Sequence, residues 1–167
     1  SKTSGRPVNW NAIVYDANNP NGWRRQIEWT EKAYREAPVL PVDICLPIER
    51  EFTLETMGLF DQLPAWNEAT VGTLEERKAK LADPARRAAL RRDMDQGRRL
   101  MLGQTSDGEQ GQVGMFKWDA TVVDDVELAK NEHLKGRTIA EIAKEQGKHP
   151  VDALLDLAVE EDLKTEF

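Results

Sequence analysis

Pro7-Val8-Asn9-Trp10-Asn11-Ala12-Ile13-Val14-Tyr15 and Val39-Leu40-Pro41-Val42-Asp43-Ile44-Cys45-Leu46 are the two stretches on which the fold turns. Each is short, rich in apolar and β-branched residues, and bounded by turn formers, as strands are. Gly5 and Pro7 precede the first, and the loop Asp16-Ala17-Asn18-Asn19-Pro20-Asn21-Gly22 follows it. Pro38 and Pro47 bracket the second. Between them, Trp23, Ile27, Thr30 and Tyr34 recur at i, i+4, i+7 and i+11, one stripe of a 3.6-residue period over Trp23 to Glu36. A strand, a helix of three turns and a second apolar strand predict a parallel crossover, hence an α/β class. Pro41 sits uneasily inside a strand, because it has no N–H to give a ladder.

Outward from this β-α-β unit the pattern turns helical. Thr73-Leu74-Glu75-Glu76 fits a capping box, and Asp83-Pro84 an N-cap followed by proline at the first helical position. Nine basic residues follow from Arg77 to Arg99, interleaved with Asp83, Asp93 and Asp95. A glycine-rich polar loop spans Gly103 to Gly114, and Met115 to Val123 reads as a further strand. Thr138-Ile139-Ala140-Glu141 is a second capping box, whose helix ends near Gly147. Pro150 opens a last helix with Val151, Leu154, Leu155 and Ala158 on one stripe. These shifts divide the chain into 1–52, a β-α-β segment; 53–114, a helical insertion with its polar loop; and 115–167, a strand and a helix pair.

Charge and composition exclude several functions. With 23 Lys and Arg against 30 Asp and Glu, the net charge is −7, which disfavours binding to a phosphate backbone. The arginine-rich stretch holds no aromatics for stacking on bases, so it reads as a solvated face. Residues 138–162 have a helix-turn-helix outline, yet the second helix offers Asp152, Asp156, Glu160, Glu161 and Asp162 where a DNA groove wants positive or amide side chains. The Gly103–Gly114 loop lacks the Gly-Lys-Ser/Thr ending of a phosphate cradle. No nucleic acid is expected as a partner. Nor is a membrane, since no apolar run approaches the ~18 residues of a span. Cys45 is the one cysteine, which rules out an internal disulfide and, with no signal-like N-terminus, predicts a cytoplasmic protein.

Chemistry is sparse. Cys45, His133 and His149 have no ligand spacing such as Cys-x-x-Cys, so the residues alone predict no metal site. Asp43 and Cys45 alternate on the second strand and share a face. No hydrolytic triad or carboxylate pair can be assigned from spacing.

Several segments resemble a known family. Gly5-Arg6-Pro7-Val8, Leu81-Ala82-Asp83-Pro84 with its arginine-rich helix, Trp118-Asp119, Leu134-Lys135-Gly136-Arg137-Thr138-Ile139-Ala140-Glu141-Ile142-Ala143, and Pro150-Val151-Asp152-Ala153-Leu154-Leu155-Asp156-Leu157 with Glu160-Glu161-Asp162 resemble the N-acyl-D-amino-acid deacylases of the amidohydrolase superfamily. The resemblance covers nearly the whole chain. It implies a zinc-dependent hydrolase on a (β/α)8 TIM barrel that cleaves the amide of small N-acyl-D-amino acids. Such a barrel takes around 250 residues, so the chain is expected to be a partial barrel segment: the fifth and sixth strands, a helix-rich insertion and a C-terminal helix pair. The family's His-x-His motif and eighth-strand Asp occur nowhere in it. The family's fifth-strand histidine falls at or beside Ala12, where no histidine stands, and Val42 to Pro47 holds none either. The resemblance then implies an altered metal shell or lost chemistry for the parent, and no zinc or activity for the isolated chain. Asn11, Asp43, Cys45 and Arg50 lie along or just past the two strands and are the candidate substrate-binding residues, because ligands reach a barrel at its strand C-termini. Unpaired strands would also expose apolar patches and favour a homo-oligomer. The alternative is a non-catalytic helical interaction module that docks a protein partner through the last helix pair.

Overall fold

The two apolar stretches form strands β1 (Val8–Ile13) and β2 (Val39–Asp43), joined by helix α1 (Gly22–Tyr34). They pair in parallel as a two-stranded sheet, with Val8 opposite Val39 and Asn11 opposite Val42. Pro41 is tolerated because each strand of a two-stranded sheet is an edge. The remaining elements are helices α2 (Pro64–Thr70), α3 (Leu74–Ala82), α4 (Pro84–Asp95), α5 (Ile139–Gln146) and α6 (Pro150–Glu160), with a 3-10 turn at Ala129–Leu134. The computed structural model describes residues 3–13, 21–43, 51–56, 58, 60–61, 63–95 and 117–167. They form two compact units, one within residues 1–49 and one drawn from 50–102 and 114–167.

The expectation of a partial TIM barrel is overturned. Beyond β1-α1-β2 no strand-helix repeat occurs among the described residues, and the chain is helix-rich. The strand expected at Met115 to Val123 is absent over its described part. Residues 118–120 form a turn, and Val122 makes only an isolated bridge with Thr138. The physical reason lies in where the apolar residues point. Those after residue 50 recur at helical spacing and close on one another, leaving no sheet for them to cover.

Local signals position the helices of the second unit. Both capping boxes form: Thr73 Oγ1 accepts from Glu76 N–H while Glu76 accepts from Thr73 N–H, and Thr138 and Glu141 repeat the exchange. Asp83 Oδ1 accepts from Ala85 N–H at 2.9 Å beside Pro84. Gly147 ends α5 at φ +62°, a conformation that costs glycine nothing. The core then draws on distant stretches. Phe60, Leu63, Trp66, Leu81 and Leu90 from the middle of the chain pack in one cluster with Ile139, Leu154, Leu155 and Leu163 from its last third. Trp66 is wholly buried, stacks 4.3 Å from Phe60 and donates its indole N–H to Leu90 O. Phe52 and Phe167 exchange backbone hydrogen bonds of 3.0 and 2.9 Å and bring their rings to 5.4 Å. After α6 the chain turns through Asp162 and Leu163, both at positive φ. That conformation costs a side-chain-bearing residue about 1–2 kcal/mol. Full burial of Leu163 offsets it.

Candidate functional site

Parallel pairing puts the carboxyl ends of β1 and β2 at the same edge of the sheet, where ligands of α/β proteins bind. Two of the four candidate residues, Asn11 and Asp43, are placed there. Asn11 pairs with Val42, and Asp43, the last residue of β2, pairs with Ile13, the last of β1. The register shifts between Asn11 and Ile13, at Ala12. Such an irregularity bends a strand and re-aims the residues beyond it, and is common beside binding sites. Cys45 and Arg50 lie outside the described residues, as does the glycine-rich loop from Gly103 to Gly114.

The same unit carries an open groove between α1 and the strands. Ile13, Ile27, Tyr34, Val39 and Leu40 line it, and Glu31 and Arg35 are its charged members. No residue of α1 is fully buried, and Val8, Leu40, Val42 and Trp29 stay about 40% exposed (39%, 44%, 44% and 38%). A parallel sheet ordinarily has both faces covered, so this surface is apolar beyond what a sheet normally shows to water.

A zinc ion, implied by the resemblance, finds no fit among the described residues. Among the described residues no group of three or more His, Cys, Asp or Glu is placed to hold a metal. His133 Nδ1 lies 2.8 Å from Lys130 O, and His149 is engaged through both ring nitrogens, with Val151 N–H and Asp95. No step is therefore routed through a metal on these residues.

Over its described residues, several cations of the arginine-rich segment form ion pairs. Arg87 contacts Asp156 and Asp152, and Arg91 reaches Asp152 at 2.8 Å, so that α4 is clamped to α6. Lys78 of α3 engages Asp162, Arg86 engages Glu68 of α2, and Lys80 donates to the Glu68 and Val71 carbonyls at the end of α2. Burial pushes the Asp156 carboxyl up, but hydrogen bonds from Lys148 and Arg87 outweigh it and hold the group below its ordinary value. A hydrogen bond and the charge of Lys78 likewise lower Asp162. The sequence pattern was a solvated basic face among neighbouring acids. The structure supplies most partners from across the fold instead. The available signal was Arg87 and Arg91 four apart on one helix, facing Asp152 and Asp156 four apart on another.

Sequence reasoning missed the role of Glu161. It is 2% exposed, and its carboxylate accepts from Glu127 N–H (3.0 Å), Leu128 N–H (3.2 Å), Asn131 Nδ2 (2.8 Å) and Thr165 Oγ1 (3.1 Å). With its oxygens so occupied, it ties the 3-10 turn to the end of α6. Nothing in the run Glu160-Glu161-Asp162 distinguishes the buried member from its neighbours.

Among the described residues no helix is long and apolar enough to cross a membrane. The chain matches no family model, no curated protein and no solved structure.

Proposed function

We propose that the chain serves a D-aminoacylase-like hydrolase acting on small N-acyl-D-amino acids, and that it supplies substrate contacts and not the metal-bound chemistry. The observation that carries this reading is the placement of Asn11 and Asp43 at the shared carboxyl edge of two parallel strands. An asparagine amide there both donates and accepts, which suits a substrate amide, and an aspartate accepts from its N–H. Arg50, a few residues past β2 in sequence, offers a planar cation for the substrate carboxylate. Cys45, two residues past β2 in sequence, completes the set. The motif residues of the last third support the reading differently. Thr138, Glu141, Pro150 and the apolar stripe of α6 cap and pack a helix pair, so they mark the fold and not the reaction.

The reading as a helical interaction module has less to rest on. Seven of the eleven residues of α6 are buried within their own unit, which leaves its apolar stripe little to offer a partner.

The test is release of free amino acid from N-acetyl-D-amino acids, with the L-enantiomers as control. The protein assayed is the polypeptide translated from the full reading frame that carries these residues. Hydrolysis of the D-substrate is expected, with kcat/KM falling roughly 10-fold or more in Asn11→Ala and Asp43→Ala, the cost of about 1.4 kcal/mol of lost transition-state contact. No hydrolysis of either enantiomer, or variants as active as the parent, would overturn the proposal.

A further inference from the structure

His149 occupies the position before Pro150 where α6 begins, with extended backbone, and its side chain caps the helix. Val151 N–H donates to Nδ1 at 3.2 Å, so Nδ1 carries a lone pair and no proton. Nε2 then bears the hydrogen, and it points at Asp95 Oδ1, 3.1 Å away on the last residue of α4. One imidazole thus touches the start of one helix and the end of another, through nitrogens with opposite roles. Most N-caps are Ser, Thr, Asp or Asn, whose acceptor oxygen persists through neutral pH. A histidine cap differs because its acceptor nitrogen is also its basic site.

We infer that His149 is a proton-operated latch between α4 and α6. In the neutral ring Nδ1 holds the first turn of α6. When Nδ1 takes a proton, its lone pair is consumed and two N–H groups face each other, so Val151 N–H loses its acceptor. At the same time Nε2–H to Asp95 becomes a charge-assisted bond, which is stronger. Protonation therefore exchanges one contact for the other: the first turn of α6 loosens while the end of α4 is held more tightly.

The surrounding charges leave that exchange intact. On α4, Arg91 is occupied by Asp152, and Asp93 accepts from Ala65 N–H; Arg92 stands between them. On α6, Asp152 and Asp156 are taken up by Arg91, Arg87 and Lys148, the last from the residue next to His149. At the end of α5, Glu145 is engaged by Arg137, and Lys144 lies beside it. Among the described residues Asp95 is thus the carboxylate in contact with the ring.

The experiment is nuclear magnetic resonance on the full 167-residue chain between pH 5 and 8. It reads the His149 ring nitrogens and the exchange protection of the Val151 amide. At the upper end the ring is expected as the Nε2–H tautomer, and Val151 protection should fall about fivefold in step with protonation, the equivalent of one lost cap. His149→Asn retains a cap acceptor that does not titrate, so Val151 protection should then stay level. A Nδ1–H tautomer at pH 8, constant Val151 protection through the His149 titration, or the same fall in His149→Asn would each overturn the latch. The wild-type measurement decides by itself if the variant does not fold.

Discussion

The two units of this chain bury their apolar residues to very different extents. In the unit drawn from 50–102 and 114–167, Trp66, Leu81, Leu90, Ile139, Val151 and Leu154 are wholly buried. In the β1-α1-β2 unit, α1 has no buried residue, and Val8, Leu40 and Val42 face water. The contrast teaches that regular secondary structure and a closed core are separate achievements. Three turns of helix and a correct parallel register cover only part of one apolar surface, whereas five helices meeting from several directions enclose theirs.

The sharpest way to break the comparison is to truncate one tryptophan in each unit. Trp66→Ala empties a core site and removes the indole bond to Leu90 O, so urea unfolding of the second unit should lose about 3–5 kcal/mol. Trp29→Ala, at a position 38% exposed, should shift stability by no more than about 0.5 kcal/mol. Equal effects would mean that the β-α-β unit has a hidden core. Next in size is Glu161→Ala, which takes the acceptor from the Glu127 and Leu128 N–H groups and the buried Thr165 hydroxyl and leaves the Asn131 amide its bond to Glu160. A loss of about 2–3 kcal/mol in the same titration is expected, with the signals of residues 127–131 the first to broaden. Thr138→Ala removes one capping-box acceptor and should cost about 1 kcal/mol by thermal unfolding.

Acid separates the units by charge. Asp156, Asp162 and Glu160 all have folded-state values below their ordinary ones, held down by basic or amide partners, with burial opposing this in each. A carboxylate lowered in the folded state stabilises above its unfolded value and loses that contribution as pH falls through the folded one. Circular dichroism from pH 7 to 2 should therefore show the second unit weakening below about pH 4. Stability that is flat to pH 2 would sink the ion-pair account. The smallest effect belongs to the open face: Leu40→Lys or Val42→Lys should leave unfolding within about 0.5 kcal/mol. It should lower self-association by analytical ultracentrifugation, because a lysine blunts an exposed strand edge.

Much of the local structure was readable in the residues. Both capping boxes, the Asp83-Pro84 start and the Gly147 stop depend on contacts within a few residues, and such contacts are written in adjacent positions. The reading failed where it passed from segments to architecture. Two strands and a crossover suggest more strands than occur among the described residues, and Met115 to Val123 reads as one of them because short apolar runs do not distinguish a strand from a core-packed turn. Of the candidate site, the parallel register sets Asn11 opposite Val42 and Asp43 opposite Ile13.

Local residues mark the starts of α3, α4, α5 and α6 and the end of α5, because N-caps, prolines and glycine act through i to i+3 geometry. Only the tertiary structure decided that the middle and the last third share one core. It alone decided that Glu161 and not Glu160 is buried, and that Arg87 and Arg91 meet acids 61 to 69 residues away. Those choices are set by which helix faces pack: the four-residue spacings of Arg87 and Arg91 and of Asp152 and Asp156 mark a face on each helix, but not that the two faces meet.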